Sequence, residues 1–399
     1  MSVNDEYDVV IVGGGPGGLT AAIYAGRAEL KTLLIEKSGY GGRITETAEV
    51  KNYPGTSLDS GEHLMETFKQ HAQASDSVSL KRTTVTAVKA DNDGFIVSTK
   101  RRGDFQTKTV ILDLGTVPRE LNIPGEKEFV GQGVSYCATC DAEFFKNQEI
   151  YVVGAGDQAI EESEYLAKFA KKVHIVVLHE EGVLDCNEVA AKNIKNNDKV
   201  DFIWNSTLSA IEGRDKVESV TVKNVQTGEQ TKHATSGVFF FIGMTPQTEM
   251  VKDIVDRDDR GYIKVNDKQE TSVPGLYAIG DCTNNFLKQV ITACGDGARA
   301  IVASQRYISE EQQLESILHG SEEKVAFVFY NPYESSEIDQ ATEFEQKLPG
   351  YKVYKQDISR QSLLFNKLKL DQTVTVALFE HGQLDKIVKN ISELTLIKN

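Results

Sequence analysis

The sequence predicts an α/β fold: two Rossmann-like, three-layer modules followed by a third, smaller α/β unit. Three observations predict it. Two glycine-rich hexapeptides, Gly13-Gly14-Gly15-Pro16-Gly17-Gly18 and Gly154-Ala155-Gly156-Asp157-Gln158-Ala159, each follow a short apolar run and open a helical pattern. The pair Cys137 and Cys140 stands just upstream of the second hexapeptide. After a polar stretch near residue 320, a new alternation of strand and helix begins.

A length of 399 residues suits two or three domains better than one core. With 40% hydrophobic and 26% charged residues, the composition is that of a soluble globular chain. It contains no run of about 18 apolar residues, so no membrane span is expected. The start, Met1-Ser2-Val3-Asn4-Asp5-Glu6, has neither a basic n-region nor a signal core, and a cytoplasmic location is expected. A formal charge of −15 argues against nucleic-acid or anionic-membrane partners, which need a basic surface. Among five cysteines only Cys137 and Cys140 are closely spaced, which fits a reducing cytosol.

In the first module, Tyr7 to Val12 reads as a strand and Leu19 to Ala25 as part of a helix. Gly13 permits the tight turn, Gly15 lets the backbone approach a pyrophosphate, and Gly18 allows close helix packing. The helix N-terminus, opened by Pro16, adds free amides and a positive dipole. A second strand, Lys31 to Ile35, ends in Glu36, 18 residues after Gly18, where a carboxylate can accept from a ribose. A glycine turn without a ligand is the competing reading, and the strand, helix and acid together speak against it.

The CxxC spacing places two sulfurs on one turn, so that one can attack a disulfide and the other resolve the mixed disulfide. Zinc would want two more Cys or His at similar spacing, and Cys186, Cys282 and Cys294 are single and scattered, so no metal site is expected. In the second module Glu149 to Val153 reads as a strand and Ile160 to Phe169 as a helix. Leu276 to Ile279 followed by Gly280-Asp281 is a further strand that ends in a carboxylate turn.

Beyond Ala293 to Tyr307, the polar run Ser309-Glu310-Glu311-Gln312-Gln313 reads as a helix tail and linker. Strand Val325 to Tyr330, helix Ser336 to Leu348, strand Tyr351 to Asp357 and helix Arg360 to Lys367 follow. Strands Thr373 to Phe379 and Leu384 to Lys389 flank His381-Gly382, a hairpin turn.

The segments Gly41 to Thr47, Val50 to Gly55, Cys137 to Asp141, Gly275 to Asp281 and Lys288 to Gly297 together resemble the low-molecular-weight thioredoxin reductases. The resemblance covers about residues 5 to 310. It implies a discontinuous FAD-binding domain (1–118 and 246–318), an inserted dithiol and NAD(P)-type domain (119–245), and a homodimer. It also implies FAD contacts at Gly13, Gly15, Pro16, Gly18, Glu36, Gly42 and Asn52, and at Gly280, Asp281, Lys288, Gln289 and Val290. Cys140 would be the sulfur nearest the flavin, Cys137 its partner, and Asp141 an acid/base group. A carboxylate stabilised at a helix N-terminus is the other reading of Asp141. Thioredoxin or a related dithiol protein would be the partner.

The sequence departs from that family where NADPH is read. The family's His-Arg-Arg element and a further Arg fork onto the 2′-phosphate. Here Val173 to Cys186 contains no arginine and carries Glu180 and Glu181. Like charges beside a phosphate argue against NADPH. Gly154, Gly156 and Ala159 keep the backbone cradle, and Glu180, 21 residues beyond Ala159, stands where a carboxylate takes the ribose of NADH. A solvated acidic loop explains Glu180 equally well, and reduction by ferredoxin is the alternative donor. An acidic ferredoxin would need a basic patch such as Lys100-Arg101-Arg102 or Lys168-Lys171-Lys172. Asp113-Leu114-Gly115 also replaces the family's Ala-Thr-Gly, and Lys288 its Arg, which puts the family's domain rotation in question.

The C-terminal order β-α-β-α-β-β resembles a thioredoxin fold without its chemistry. Glu334-Ser335-Ser336-Glu337 stands at the CxxC position and Val374 at the cis-proline position. Residues 319–399 are therefore read as a redox-inert module for docking, dimerisation or covering the flavin, or as a stabilising appendage. The function expected is an FAD-dependent disulfide oxidoreductase. A redox-sensing flavoprotein whose C-terminal module binds a partner, or an NADH-linked oxidase or peroxidase-system reductase, is the alternative.

Overall fold

The computed structural model describes residues 6–47, 50, 52–56, 59–91, 93–319, 324–390 and 393. Lys51 of the family-like segment, residues 320–323 of the expected linker and the last residues of the chain lie outside that set. The chain divides into two compact units, Met1–Ile301 and Val302–Asn399.

The first unit opens with β1 (Glu6–Val12), α1 (Pro16–Arg27), β2 (Thr32–Glu36), α2 (Gly61–Gln73) and β3 (Val78–Arg82). β4 (Val85–Asp91), β5 (Gly94–Thr99) and β6 (Gly103–Leu112) follow. β1 lies in parallel between β2 and β6, and β2 is parallel to β3. The order is β3-β2-β1-β6-β5-β4. β1 is a near-continuous apolar run because the sheet is covered on both faces. Val10, Leu33, Val97 and Val110 form the core of one face.

The chain leaves this layer through β7 (Thr116–Pro118) and enters a second one. There β8 (Val134–Ser135), α3 (Ala138–Asp141), β9 (Glu149–Val153), α4 (Asp157–Leu166), β10 (Lys172–Val176), α5 (Glu188–Lys195) and β11 (Val200–Ile203) follow. The meander β12 (Ser206–Gly213), β13 (Val217–Asn224), β14 (Gln230–Ala234) precedes β15 (Gly237–Phe240). β9 sits in the middle, parallel to β10 and β15. Its period-two alternation makes three layers. Ile150 and Val152 pack with Ala159, Val173 and Phe239, whereas Tyr151 and Val153 pack with Val220 and Phe240. The helix expected to reach Phe169 stops at Leu166, and turns whose carbonyls Lys199 Nζ holds at Ala167 and Ala170 carry the chain to β10.

β16 (Met244–Pro246) brings the chain back by pairing antiparallel with β7. β17 (Leu276–Ala278) then joins β6 in parallel beside the first fingerprint. α6 (Val290–His319) follows. The polar run Ser309–Gln313, expected as a helix tail and linker, is helical throughout, because Ile308 and Leu314 continue a buried face through it. Among the described residues no helix is long and apolar enough to cross a membrane.

In the second unit, β18 (Lys324–Tyr330), α7 (Ser335–Gln346), β19 (Tyr351–Asp357), α8 (Leu363–Lys367), β20 (Thr375–Glu380) and β21 (Gln383–Val388) follow the tail of α6. The order is β19-β18-β20-β21, with β18 parallel to β19 and antiparallel to β20. His381 (φ 50°) and Gly382 (φ 76°) form the turn between β20 and β21, and the positive φ at both is what a two-residue hairpin of matching twist requires. Phe327 is fully buried with Leu314, Leu364 and Phe379. Phe327→Ala is expected to destabilise this unit by about 3–5 kcal/mol. The check is amide exchange, which should quicken across β18, β19 and β20 and leave β1 and β9 unchanged.

Candidate functional site

β1 delivers the chain to Gly13, whose φ of 111° only glycine adopts without strain. A Cβ there would lie 2.0 Å from the Asp113 carbonyl oxygen, and one on Gly18 would lie 2.1 Å from that of Gly13. These glycines let α1 start tightly against the ends of β1 and β6. Glu36, at the end of β2, is buried and its Oε2 accepts from the Gly14 N–H at 2.8 Å. Its other oxygen accepts from the Ser38 N–H and hydroxyl. The carboxylate expected to meet a ribose is thus also part of the turn.

In front of this turn opens a cavity of about 920 Å³. Its wall contains Gly15, Pro16, Glu36, Gly42, Asn52, Asp281, Lys288, Gln289 and Val290 among the expected cofactor contacts. Gly13 and Gly18 stand behind the wall as packing glycines. Gly280 (φ 68°) sets the turn that presents Asp281. Asn52 Nδ2 donates to Gln289 Oε1 at 2.7 Å, joining two segments far apart in sequence. Lys288 donates to the Thr283 carbonyl and lies 4.3 Å from the centre of the Tyr262 ring. Burial pushes the Asp281 carboxyl up, against the opposing pull of Lys288 and Arg43. Burial lowers the Lys288 ammonium, against the pull of Asp281.

Asp113, which the sequence marks only as a departure from Ala-Thr-Gly, also lines the cavity. Its Oδ2 accepts from the Gly18 N–H at 2.7 Å. Burial first, and then the charges of Asp281 and Glu36, push its carboxyl up to about 7, against the pull of hydrogen bonds from the Gly18 and Gly15 backbone. An acid that closes the apolar run Val110–Leu112 was the signal for it in the sequence.

Cys137 and Cys140 form a disulfide at the start of α3. Cys137 caps the helix, its Sγ accepting from the Cys140 N–H at 3.2 Å. Cys140 is exposed, and its Sγ lies 3.2 Å from the Glu46 carbonyl oxygen. That is a contact and no hydrogen bond, since a disulfide sulfur carries no proton. Asp141 ends α3, half-buried, and makes no side-chain cap to the following 3-10 turn Ala142–Phe145. The capping reading of Asp141 therefore has no hydrogen bond behind it there. The sulfurs are not in the cavity wall, whereas Glu161 and Glu162 of α4 are. In this arrangement the second fingerprint's helix faces the cavity, and the disulfide stands beside its wall against Glu46.

The second fingerprint repeats the turn. A Cβ on Gly154 (φ 139°) would lie 2.3 Å from the Phe241 carbonyl oxygen, and Ala159 is fully buried beneath. Gly156 caps α4. The loop after β10 folds back onto it: the Asp185 N–H donates to the Ala155 carbonyl, and Asn187 donates through its N–H and Nδ2 to Asp157 Oδ1. His179 Nε2 meets Asp185 Oδ2 at 2.6 Å. Glu180 and Glu181 are exposed. The carboxylate-bearing residue tied to the fingerprint is thus Asp185, with Glu180 left on the outer side of the turn, where its carbonyl accepts from Val183.

Buried Cys282 and Cys294 and half-buried Cys186 are free thiols. Burial pushes Cys282 up to about 12 and also raises Cys294 and Cys186. Native alkylation of the oxidised protein should therefore label Cys186 slowly and no other site. Prior reduction should add two labels, on Cys137 and Cys140, and mass spectrometry counts them.

A family model described as pyridine nucleotide-disulphide oxidoreductase matches residues 7–297. The thioredoxin reductase of Peptoclostridium acidaminophilum is 42% identical over 314 residues, 77% of this chain and 98% of that protein. The thioredoxin reductase of Bacillus subtilis is 40% identical over 316 residues, 78% of this chain and 98% of that one. The crystal structure of Lactococcus lactis thioredoxin reductase in its FR conformation matches with a TM-score of 0.69 at 39% identity. It covers 76% of this chain and 99% of that structure.

Proposed function

Because the chain belongs to the pyridine nucleotide-disulphide oxidoreductase family, among the thioredoxin reductases, we propose that it passes electrons from FAD through Cys137 and Cys140 to a protein disulfide. The substrate would be a thioredoxin or related dithiol protein, and the donor NADH or a reduced ferredoxin. The observation that carries this is the Cys137–Cys140 disulfide, with Cys140 exposed, in the same unit as a cavity walled by a glycine fingerprint and the Asn52–Gln289 bond.

The residues fit FAD. Backbone amides at the turn before α1 suit its pyrophosphate, Glu36 a ribose, and Asp281 the polyol or pyrophosphate region. Asn52 and Gln289 form the polar edge of the flavin end of the cavity. When bound, FAD supplies the two-electron store that the disulfide draws on. Once reduced, one thiol of the pair loses its proton and attacks the substrate disulfide, and the first substrate sulfur leaves as a thiolate. The second thiol then resolves the mixed disulfide and releases the other substrate sulfur. The pair ends oxidised and the substrate reduced by two electrons. Asp141, adjacent to Cys140, is the acid/base candidate for these proton movements. The sulfurs stand outside the cavity wall, so the pair would have to approach it to be reduced.

Donor choice follows from charge. NADPH needs cations at its 2′-phosphate, and the turn after β10 carries Glu180, Glu181 and Asp185 and no arginine, with Lys195 Nζ engaged on the Gly182 carbonyl at 2.8 Å. A carboxylate there accepts from the ribose hydroxyls of NADH. The ferredoxin reading is favoured by the loop that Asn187 and Asp185 pin over the fingerprint, which leaves less of it open to a nucleotide. The second unit, without cysteine, would serve in docking or cover.

Cys140→Ser should lower protein disulfide reduction to below about one-thousandth of the wild-type rate, because two sulfurs that act as one unit fail together. Flavin content should stay unchanged. Coupled turnover with a thioredoxin substrate measures the first and the visible spectrum the second; turnover retained in the variant would remove the dithiol from the reaction.

A further inference from the structure

Asp113 takes no part in the steps above, yet the first fingerprint is built around it. A Cβ on Gly15 would come within 2.8 Å of its Oδ2, and one on Gly280 within 2.9 Å of its Oδ1. Gly17 and Gly18 leave the same carboxyl group room, with Cβ positions 3.0 Å from one oxygen each. The glycines that let the backbone approach a pyrophosphate therefore also accommodate an internal acid. Its Oδ2 already holds the Gly18 N–H, one of the free amides that a helix N-terminus offers to a phosphate.

The groups that face Asp113 carry the wrong sign for a second anion. Glu36 faces it from the end of β2 and Asp281 from the turn after β17. The thiols of Cys282, in that same turn, and of Cys294, in α6, complete the ring, and both are raised by burial. The cations Lys288 and Arg43 of the cavity wall act on Asp281. A pyrophosphate adds about two negative charges to this ring, and an ionised Asp113 beside it would repel them without water to screen the interaction.

We propose that Asp113 is a positioning residue that enters the FAD complex as the neutral acid, one oxygen keeping the Gly18 N–H, so that binding one FAD takes up one proton from solvent. The inference rests on the FAD reading above. Burial and the neighbouring carboxylates already bring Asp113 up to about 7 before any ligand adds its charge. Asp113 is thus half ionised near neutrality and charged at higher pH, so FAD binding weakens as pH rises through and above about 7. The exposed Asp157 at the second fingerprint has no such enclosure, and its carboxylate is occupied by Asn187.

The test is titration of FAD into the full-length apoprotein, read by flavin fluorescence between about pH 6 and pH 8.5 at constant ionic strength. The dissociation constant should be nearly flat below about pH 7 and rise toward about tenfold per pH unit above it. Asp113→Asn, which keeps the acceptor for Gly18, should bind within about threefold of the wild type at pH 6 and show no slope. Calorimetry of the wild type in buffers of different ionisation enthalpy should show proton uptake approaching one per FAD near pH 8, whether or not the variant folds. A pH-independent constant without proton uptake, or an unchanged slope in Asp113→Asn, would overturn the proposal and leave the FAD reading standing. Failure to bind FAD even at pH 6 would overturn both.

Discussion

The Gly18 N–H to Asp113 hydrogen bond ties the first turn of α1 to the end of β6, and the cavity is shaped by that tie. Three strand ends converge there: β1 at Gly13, β2 at Glu36 and β6 at Asp113. In a parallel sheet these C-terminal ends all open on the same side, so ligand contacts gather there. Glu36 closes a second tie to the Gly14 N–H, and β17 brings Gly280 and Asp281 in beside β6. Each contact needs an absent side chain at its neighbour. That is why the glycines cannot be exchanged even where no cofactor atom would touch them.

Two fingerprints of the same design differ in what fills them. At the first, the acid is enclosed and the surrounding wall carries Lys288, held on the Thr283 carbonyl, and the bonded pair Asn52 and Gln289. At the second, the following loop bonds back to Ala155 and Asp157, and its side chains are acidic. The first surrounds its acid with further carboxylates, Glu36 and Asp281; the turn after the second carries Glu180 and Glu181, with Lys195 Nζ on the Gly182 carbonyl. The disulfide lies between them in sequence at the start of a helix of four residues, Cys137 half-buried and Cys140 exposed, with α4 in the cavity wall.

Much of this was legible in the sequence because it is local. The turn at Gly13, the strand Glu149–Val153 and the hairpin at His381-Gly382 are each dictated by residues adjacent in the chain, and each lies where the pattern places it. What long-range packing decides was less legible. The reach of α6 through Ser309–Gln313 depends on Ile308 and Leu314, whose burial only the folded chain reveals. Asp113 reads as a hinge substitution until β1, β6 and β17 bring Gly15, Gly18 and Gly280 around it. Glu161 and Glu162 belong to an ordinary amphipathic helix in sequence and reach the cavity wall only through the placement of α4.

The proposed flavin disulfide reductase would draw its electrons from NADH or ferredoxin and not from NADPH. Anaerobic addition of NADPH, NADH and reduced ferredoxin in separate reactions, followed at the visible flavin band, tests it most directly. Bleaching by NADH or by ferredoxin, with NADPH silent, is the predicted result. Rapid bleaching by NADPH that carries through to reduction of Cys137–Cys140 would contradict it.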